Sequence, residues 1–152
     1  LGSDRIAAAT YAWSVSAGNA CLAITCGTCI IYDFIDEKGT YQGGAISPGL
    51  HMRLKSLNTF SARLPLVEAV PIDYLTGQDT ASSLLAGVFH GIRHEIDGFI
   101  EDYRQKHNYL SVFLGGGDSN FFVKQLKNSI FATPNIVLEG LNKILLFNEQ
   151  TP

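Results

Sequence analysis

One stretch of the 152-residue chain leaves few ways to fold it: residues 21–49, CLAITCGTCIIYDFIDEKGTYQGGAISPG. It opens on the apolar run Cys21-Leu22-Ala23-Ile24, which reads as a buried strand, and Cys26-Gly27-Thr28 makes a tight turn. A second run, 29–35, is rich in β-branched and aromatic residues. Asp36-Glu37-Lys38-Gly39 supplies a hairpin loop, with glycine where the backbone needs positive φ. Residues 40–44 return as a third strand, and Ser47-Pro48-Gly49 turns into a helix.

The flanks add helices and one further strand. Residues 6–15 form an alanine-rich helix, with Ser3 or Asp4 expected at its N-cap. Residues 50–60 carry Leu50, Leu54 and Leu57 on one helical stripe. Residues 61–71 are extended, interrupted by Pro65 and Pro71, and 73–77 turn. The longest helix is expected over 80–106, capped by Asp79 or Thr80, with Leu84, Leu85, Val88, Phe89, Ile92, Ile96, Phe99 and Ile100 at helical spacing. Gly87, Gly91 and Gly98 each cost that helix about 1 kcal/mol relative to alanine. Small residues there let a second helix come close, so a packing or dimer surface is expected.

Residues 110–114 predict a short buried strand that runs into Gly115-Gly116-Gly117-Asp118 and a helix from Ser119 or Asn120 to about residue 128. A strand passing through glycines to a helix N-terminus suits an anion or a nucleotide. Residues 135–138 predict a last strand, and 139–147 a closing helix with Leu141, Ile144, Leu145 and Phe147 turned inward.

Composition narrows the function classes. With 46% hydrophobic and 16% charged residues the chain can build one compact domain and is not disordered. A formal net charge of −3 gives no reason to expect nucleic acid or an anionic membrane as partner. No apolar run approaches the roughly 20 residues of a membrane span, and the start has no secretory pattern. Cys26 and Cys29 form a CxxC, but zinc lacks further ligands, and a thioredoxin-like motif opens a helix whereas both flanks here read as strand. Cys21, Cys26 and Cys29 are therefore read as small apolar residues of a sheet in a reducing, cytoplasmic setting. His51, His90, His94 and His107 show no metal spacing; His90 and His94 lie one helical turn apart without a third ligand.

The motifs, in order, are Gly2-x-Asp4-Arg5, Gly27-Thr28, Tyr41-x-Gly43-Gly44-x-Ile46-x-Pro48-Gly49, Leu64-Pro65, Gly77-x-Asp79-Thr80 and Gly116-Gly117-Asp118. Together they resemble the type III pantothenate kinases of the actin/hexokinase-like ATPase superfamily. The resemblance implies an α/β fold of the ribonuclease-H-like, actin-like ATPase type, a mixed sheet with an antiparallel hairpin flanked by helices. It covers residues 1–152 as a single C-terminal-type kinase domain. The family's N-terminal domain, with its Asp-x-Gly-Asn-Thr phosphate loop, is absent from this chain. The implied activity is ATP-dependent phosphorylation of pantothenate to 4'-phosphopantothenate in coenzyme A biosynthesis, with Mg2+ and a monovalent cation, K+ or NH4+.

By position, the resemblance makes Asp4 the general base for the pantothenate hydroxyl. Gly2, Arg5 and Thr80 become substrate-binding residues, Thr80 reaching across from the second subunit of a homodimer formed through helix 80–106. Gly27 and Thr28 would face the nucleotide phosphates, through backbone N–H groups and a hydroxyl, and Gly116 and Gly117 would lie near the nucleoside. Thr25 stands where the family places a cation-binding Asp, Ile31 where a Thr is common, and Gly115 where a Thr precedes the glycines. All three remove polar groups from the expected cleft. The alternative reading is a degenerate or partial kinase-like domain, a non-enzymatic module for dimerisation or ligand binding. Without a partner domain, an apolar face around Tyr11 and Trp13 is expected to be under-covered and to favour self-association.

Overall fold

The computed structural model describes residues 2–150, so the ends of the expected 1–152 domain lie outside the described residues. The chain builds α1 (Ser3–Val15), β1 (Ala20–Cys26), β2 (Cys29–Ile35), β3 (Tyr41–Pro48), α2 (Leu50–Phe60), α3 (Thr80–Lys106), β4 (Leu110–Gly115), β5 (Phe131–Ala132) and α4 (Ile136–Gln150). The strands form one mixed five-stranded sheet, ordered β3-β2-β1-β4-β5. β1–β2 and β2–β3 are antiparallel, whereas β4 pairs parallel with β1 and β5 parallel with β4. This is the mixed sheet flanked by helices that the sequence predicts.

Central β1 is buried on both faces, which is why it reads as an unbroken apolar run. Ala20, Leu22, Ile24 and Cys26 point to one side, with Tyr32, Leu50, Ile92 and Ile96 of β2, α2 and α3. Cys21 and Ala23 point to the other, against Ala8 and Ala12 of α1 and Ile136 of α4. α1 is alanine-rich because α4 lies almost on its backbone: a Cβ on Gly140 would stand 1.9 Å from the Ala7 carbonyl oxygen. Gly39 adopts the expected positive φ, +78°, at the β2–β3 hairpin.

α3 matches its predicted bounds because Asp79 closes a capping box: its side chain accepts from the Ser82 N–H, and the Ser82 hydroxyl accepts from the Asp79 N–H. Its 27 residues span about 40 Å, against about 20 Å for the six of β4. The helix therefore overhangs the sheet. Among the described residues, nothing outside the helix's own backbone lies within 4 Å of where a Cβ on Gly87 or Gly98 would stand, and at Gly91 only Arg53 Nη1 does, at 3.9 Å.

Four expectations are corrected. The N-cap of α1 is Gly2, not Ser3 or Asp4, and no side chain among the described residues caps it. The helix expected over 119–128 shrinks to one 3₁₀ turn, Ser119–Phe121. A buried carboxylate redirects the chain that follows: Asp97, on α3, accepts from the backbone N–H groups of Lys127 and Asn128 and from the Asn128 amide. The strand expected over 135–138 is the start of α4, and the last strand is Phe131–Ala132. An apolar triplet such as Ile136-Val137-Leu138 fits either period; helix entry after Pro134 decides it, the Ile136 N–H donating to the Thr133 carbonyl. Finally, Leu141, Leu145 and Phe147 are exposed, Leu145 by 61% and Phe147 by 68%: Leu141 and Leu145 face away from the side of α4 that carries Ile136 and Gly140 and meets α1, whereas Phe147 shares that side but lies about two turns beyond Gly140. Tyr11 and Trp13 are half-buried, Tyr11 edge-on to Phe113 and Trp13 over Gly39.

The Asp97 contacts make a pH-dependent prediction. Burial pushes its carboxyl up, but the hydrogen bonds from Asn128 and Lys127 outweigh it and hold the group below its ordinary value. A carboxylate more acidic folded than unfolded contributes its full stability above the ordinary range and loses it as pH falls below about 4. Asp97→Asn is expected to cost about 1–3 kcal/mol at pH 7. Urea unfolding of the variant and the wild type at pH 7 and pH 3 should show that gap shrinking in acid; a gap that is constant or widens refutes the account.

Candidate functional site

Two clusters meet the sequence-based site. The first is built on the β1–β2 turn. The Gly27 N–H donates to the Cys29 carbonyl at 3.0 Å, and the Gly49 N–H donates to the Thr28 carbonyl at 2.9 Å, pinning the turn to the start of α2. A Cβ on Gly49 would stand 1.9 Å from the Gly27 carbonyl oxygen. The glycine loop after β4 closes on the same turn. Gly116 has φ +93°, a side chain there would meet the Cys26 carbonyl at 2.3 Å, and the Asp118 N–H donates to that carbonyl at 3.0 Å. Only glycine suits that position.

Gly27, Thr28, His51, Met52, Lys55 and Asp118 line an open recess of about 460 Å³. Thr28 is exposed within it. With the Gly27 N–H used inside the turn, it is Thr28, exposed in the recess, that offers donors of this pair to a phosphate. His51 and Lys55 were not anticipated, although their i, i+4 spacing just after Gly49 puts both on one side of the first turns of α2. His51 Nε2 lies 3.6 Å from Asp118 Oδ1. Gly117 is exposed on the glycine loop.

The second cluster is the first turn of α1. Asp4 is exposed, and Gly2 makes room for it: a Cβ on Gly2 would lie 2.5 Å from Asp4 Oδ1. Arg5 turns inward instead. Its Nε and Nη2 donate to Asp33 Oδ1 at 3.0 and 2.6 Å, and Nη2 also donates to the Tyr41 hydroxyl at 2.9 Å. The Tyr41 O–H donates to the same Asp33 oxygen at 2.7 Å. The hydrogen bond to Asp33 raises the Arg5 pKa still further, while burial, then the Asp33 bond, pushes the Tyr41 phenol up to about 12. Asp33 and Tyr41 were missed as site residues. The available signal was a lone carboxylate inside the apolar strand CIIYDFI, since a buried charge demands a partner. Next to this cluster, Ile6, Ala9, Thr10, Trp13, Ile35, Gly39 and Tyr41 line an apolar cavity of about 230 Å³ between α1 and the β2–β3 hairpin.

Residues 16–19 return the chain directly from α1 into β1, so α1 runs back along β1, and from its first turn Arg5 reaches Asp33, which pairs with Ala23 partway along β1; α1 packs on the opposite face of the sheet from α2, which carries His51 and Lys55. Thr80 joins neither cluster. It is exposed on the overhang of α3, across the sheet from α1, beside a separate recess with Leu64, Gln78 and Asp79. The three family departures lie side by side: Thr25 pairs with Ile31 on one flank and with Gly115 on the other. Gly115 is sterically required, since a Cβ would stand 2.2 Å from the Thr133 carbonyl oxygen and 2.6 Å from Ile136 Cγ2. Thr25 thus offers one hydroxyl between an aliphatic chain and a glycine, a set that does not fit a cation, and no step is derived through one.

Among the described residues no group of three or more His, Cys, Asp or Glu is placed to hold a metal. No helix among them is long and apolar enough to cross a membrane. Burial pushes the Cys21 and Cys26 thiols up to about 12, which keeps them protonated and poorly nucleophilic at neutral pH.

The chain is thus a mixed α/β domain in which a glycine-rich loop and a Gly-Thr turn converge at one sheet end. The family profile described as type III pantothenate kinase matches residues 1–102. Over 149 residues the chain is 50% identical to a type III pantothenate kinase of Christiangramia forsetii, covering 98% of this chain and 61% of that protein. It is 49% identical over 148 residues to one of Bacteroides fragilis, covering 97% and 61%. The crystal structure of a conserved Baf-family protein from Campylobacter jejuni is similar, with TM-score 0.66 and 26% identity, covering 98% of this chain and 65% of that one. The chain belongs to the type III pantothenate kinase family. It spans about three-fifths of the length of the curated relatives it matches.

Proposed function

We propose that this chain is the acceptor-side, C-terminal-type domain of an ATP-dependent pantothenate kinase, with the actin-like ATPase architecture. The observation that carries the reading is the side chain of Arg5, one residue on from Asp4, seated on Asp33 of the same sheet whose β1–β2 turn, Gly27-Thr28, meets the Gly116–Asp118 loop. In this reading Asp4 takes the proton from the pantothenate hydroxyl as it attacks the γ-phosphoryl group. Arg5 and Gly2 hold the acceptor. Phosphoryl transfer depends mainly on positioning and charge stabilisation, and here Thr28, His51 and Lys55 supply a hydroxyl and basic groups beside the phosphates. Mg2+ would arrive with the nucleotide and neutralise phosphate charge; K+ or NH4+ has no evident seat at Thr25.

The greater length of the relatives supports a further domain in the whole protein, to which the Asp-x-Gly-Asn-Thr phosphate loop is assigned. The separation of Thr80 from Asp4 supports a homodimer in which helix 80–106 brings Thr80 to the partner's site, and the open faces of Gly87 and Gly98 are compatible with it. Three free thiols agree with a cytoplasmic setting. No observation favours the non-enzymatic module.

Isothermal titration tests the reading directly. Pantothenate should bind the folded chain, and Arg5→Ala should abolish the binding. A folded wild-type chain that binds neither pantothenate nor Mg·ATP would overturn the proposal.

A further inference from the structure

We infer that Asp33 is a positioning residue for acceptor binding: it fixes the Arg5 guanidinium, with Tyr41, so that Nη1 is presented to the acceptor. The inference rests on the kinase reading and deepens it. It starts from the sheet. Asp33 projects from β2 toward α1, and its cross-strand neighbours are Ala23 and Gly44. A methyl and a hydrogen leave a slot beside the carboxylate, and Arg5 descends into it from α1. Gly44 cannot be larger, since a Cβ there would stand 1.6 Å from the Tyr32 carbonyl oxygen.

The hydrogen bonding is lopsided. Asp33 is 1% exposed, and its Oδ1 receives three donors, Arg5 Nε, Arg5 Nη2 and the Tyr41 hydroxyl. Its Oδ2, equally buried, has no partner among the described residues. A carboxylate kept for stability alone would satisfy both oxygens, and a buried ion pair is in any case a poor source of net stability. What the arrangement does achieve is orientation. The guanidinium is planar, so anchoring Nε and Nη2 to one oxygen dictates where the two N–H groups of Nη1 point. Nη1 has no partner among the described residues, and the side chain retains 17% exposure. Those two donors suit an anionic acceptor such as a carboxylate. Without Asp33 the same side chain would be free to rotate away.

Steady-state kinetics of pantothenate phosphorylation, on the full-length protein that carries this domain, test the inference. Asp33→Asn keeps the shape but removes the charge. Its KM for pantothenate should rise tenfold or more while kcat stays within about threefold, since Asp4 is untouched. Asp33→Asn with an unchanged KM, or with kcat reduced at constant KM, overturns the inference. Should that variant fail to fold, Tyr41→Phe removes one donor from the same oxygen and leaves the charge pair intact. It should raise KM several-fold with kcat unchanged, and an unaltered KM counts against Asp33. Failure of the kinase reading looks different: the wild type itself then neither binds nor phosphorylates pantothenate.

Discussion

Asp4→Asn is expected to lower the turnover of pantothenate by about 10²–10⁴-fold, the usual contribution of a positioned general base. Asparagine has the size of aspartate but cannot take the hydroxyl proton, so acceptor affinity should change by no more than a few-fold. The fold should barely notice. Asp4 is exposed in the first turn of α1, where a carboxylate gains about 0.3–1 kcal/mol from the helix dipole. A coupled assay of ATP turnover beside a thermal melt separates the two effects. Full turnover in the variant would remove Asp4 from the base role, whereas a collapsed melt would show that the residue matters chiefly to the fold.

Arg5→Ala should behave in the opposite way. Its partner Asp33 is buried, and removing the guanidinium leaves a carboxylate with one tyrosine donor in place of three hydrogen bonds. Breaking a buried pair from one side costs about 3–5 kcal/mol, because the remaining charge is uncompensated. Urea unfolding at neutral pH should therefore show a large loss of stability along with the loss of pantothenate binding. The double variant Arg5→Ala, Asp33→Ala should recover much of that stability and none of the binding. A single variant within about 1 kcal/mol of wild type would place Arg5 among exposed ion pairs of little weight.

These contrasting outcomes could not have been read from the chain alone. The sequence analysis treats Asp4 and Arg5 as adjacent members of one motif, but neighbours on a helix face different ways. Arg5 meets a carboxylate 28 residues away in β2, a contact created by the register of Asp33 between Ala23 and Gly44. The elements that were legible are those in which local signals agree. The meander 20–48 has strand periodicity and a glycine at its hairpin, and α3 has a capping box and a long apolar stripe. Those that were not legible depend on partners distant in sequence: the Asp97 carboxylate replaces a helix by a turn near Lys127, and Pro134 converts an apolar triplet from strand to helix. The inward face assigned to α4 failed for a related reason. Its amphipathic pattern is genuine, but the side that meets α1 is set by the close approach at Gly140. The departures at Thr25, Ile31 and Gly115 gain meaning only with the sheet register, which places them in a single row.

The mixed sheet also sets an order of assembly. β1, β2 and β3 join through short loops, so their pairing needs little chain closure, whereas β4 meets β1 only after roughly ninety intervening residues are brought back. The seam between the early and late halves runs along the β1–β4 ladder and ends at the Cys26 carbonyl, where the Gly27–Thr28 turn from one half meets Gly116 and Asp118 from the other. The candidate nucleotide recess is consequently completed only when β4 docks on β1. A change that slows the docking of α3 and β4 would delay the appearance of a binding-competent site even where the meander has already formed.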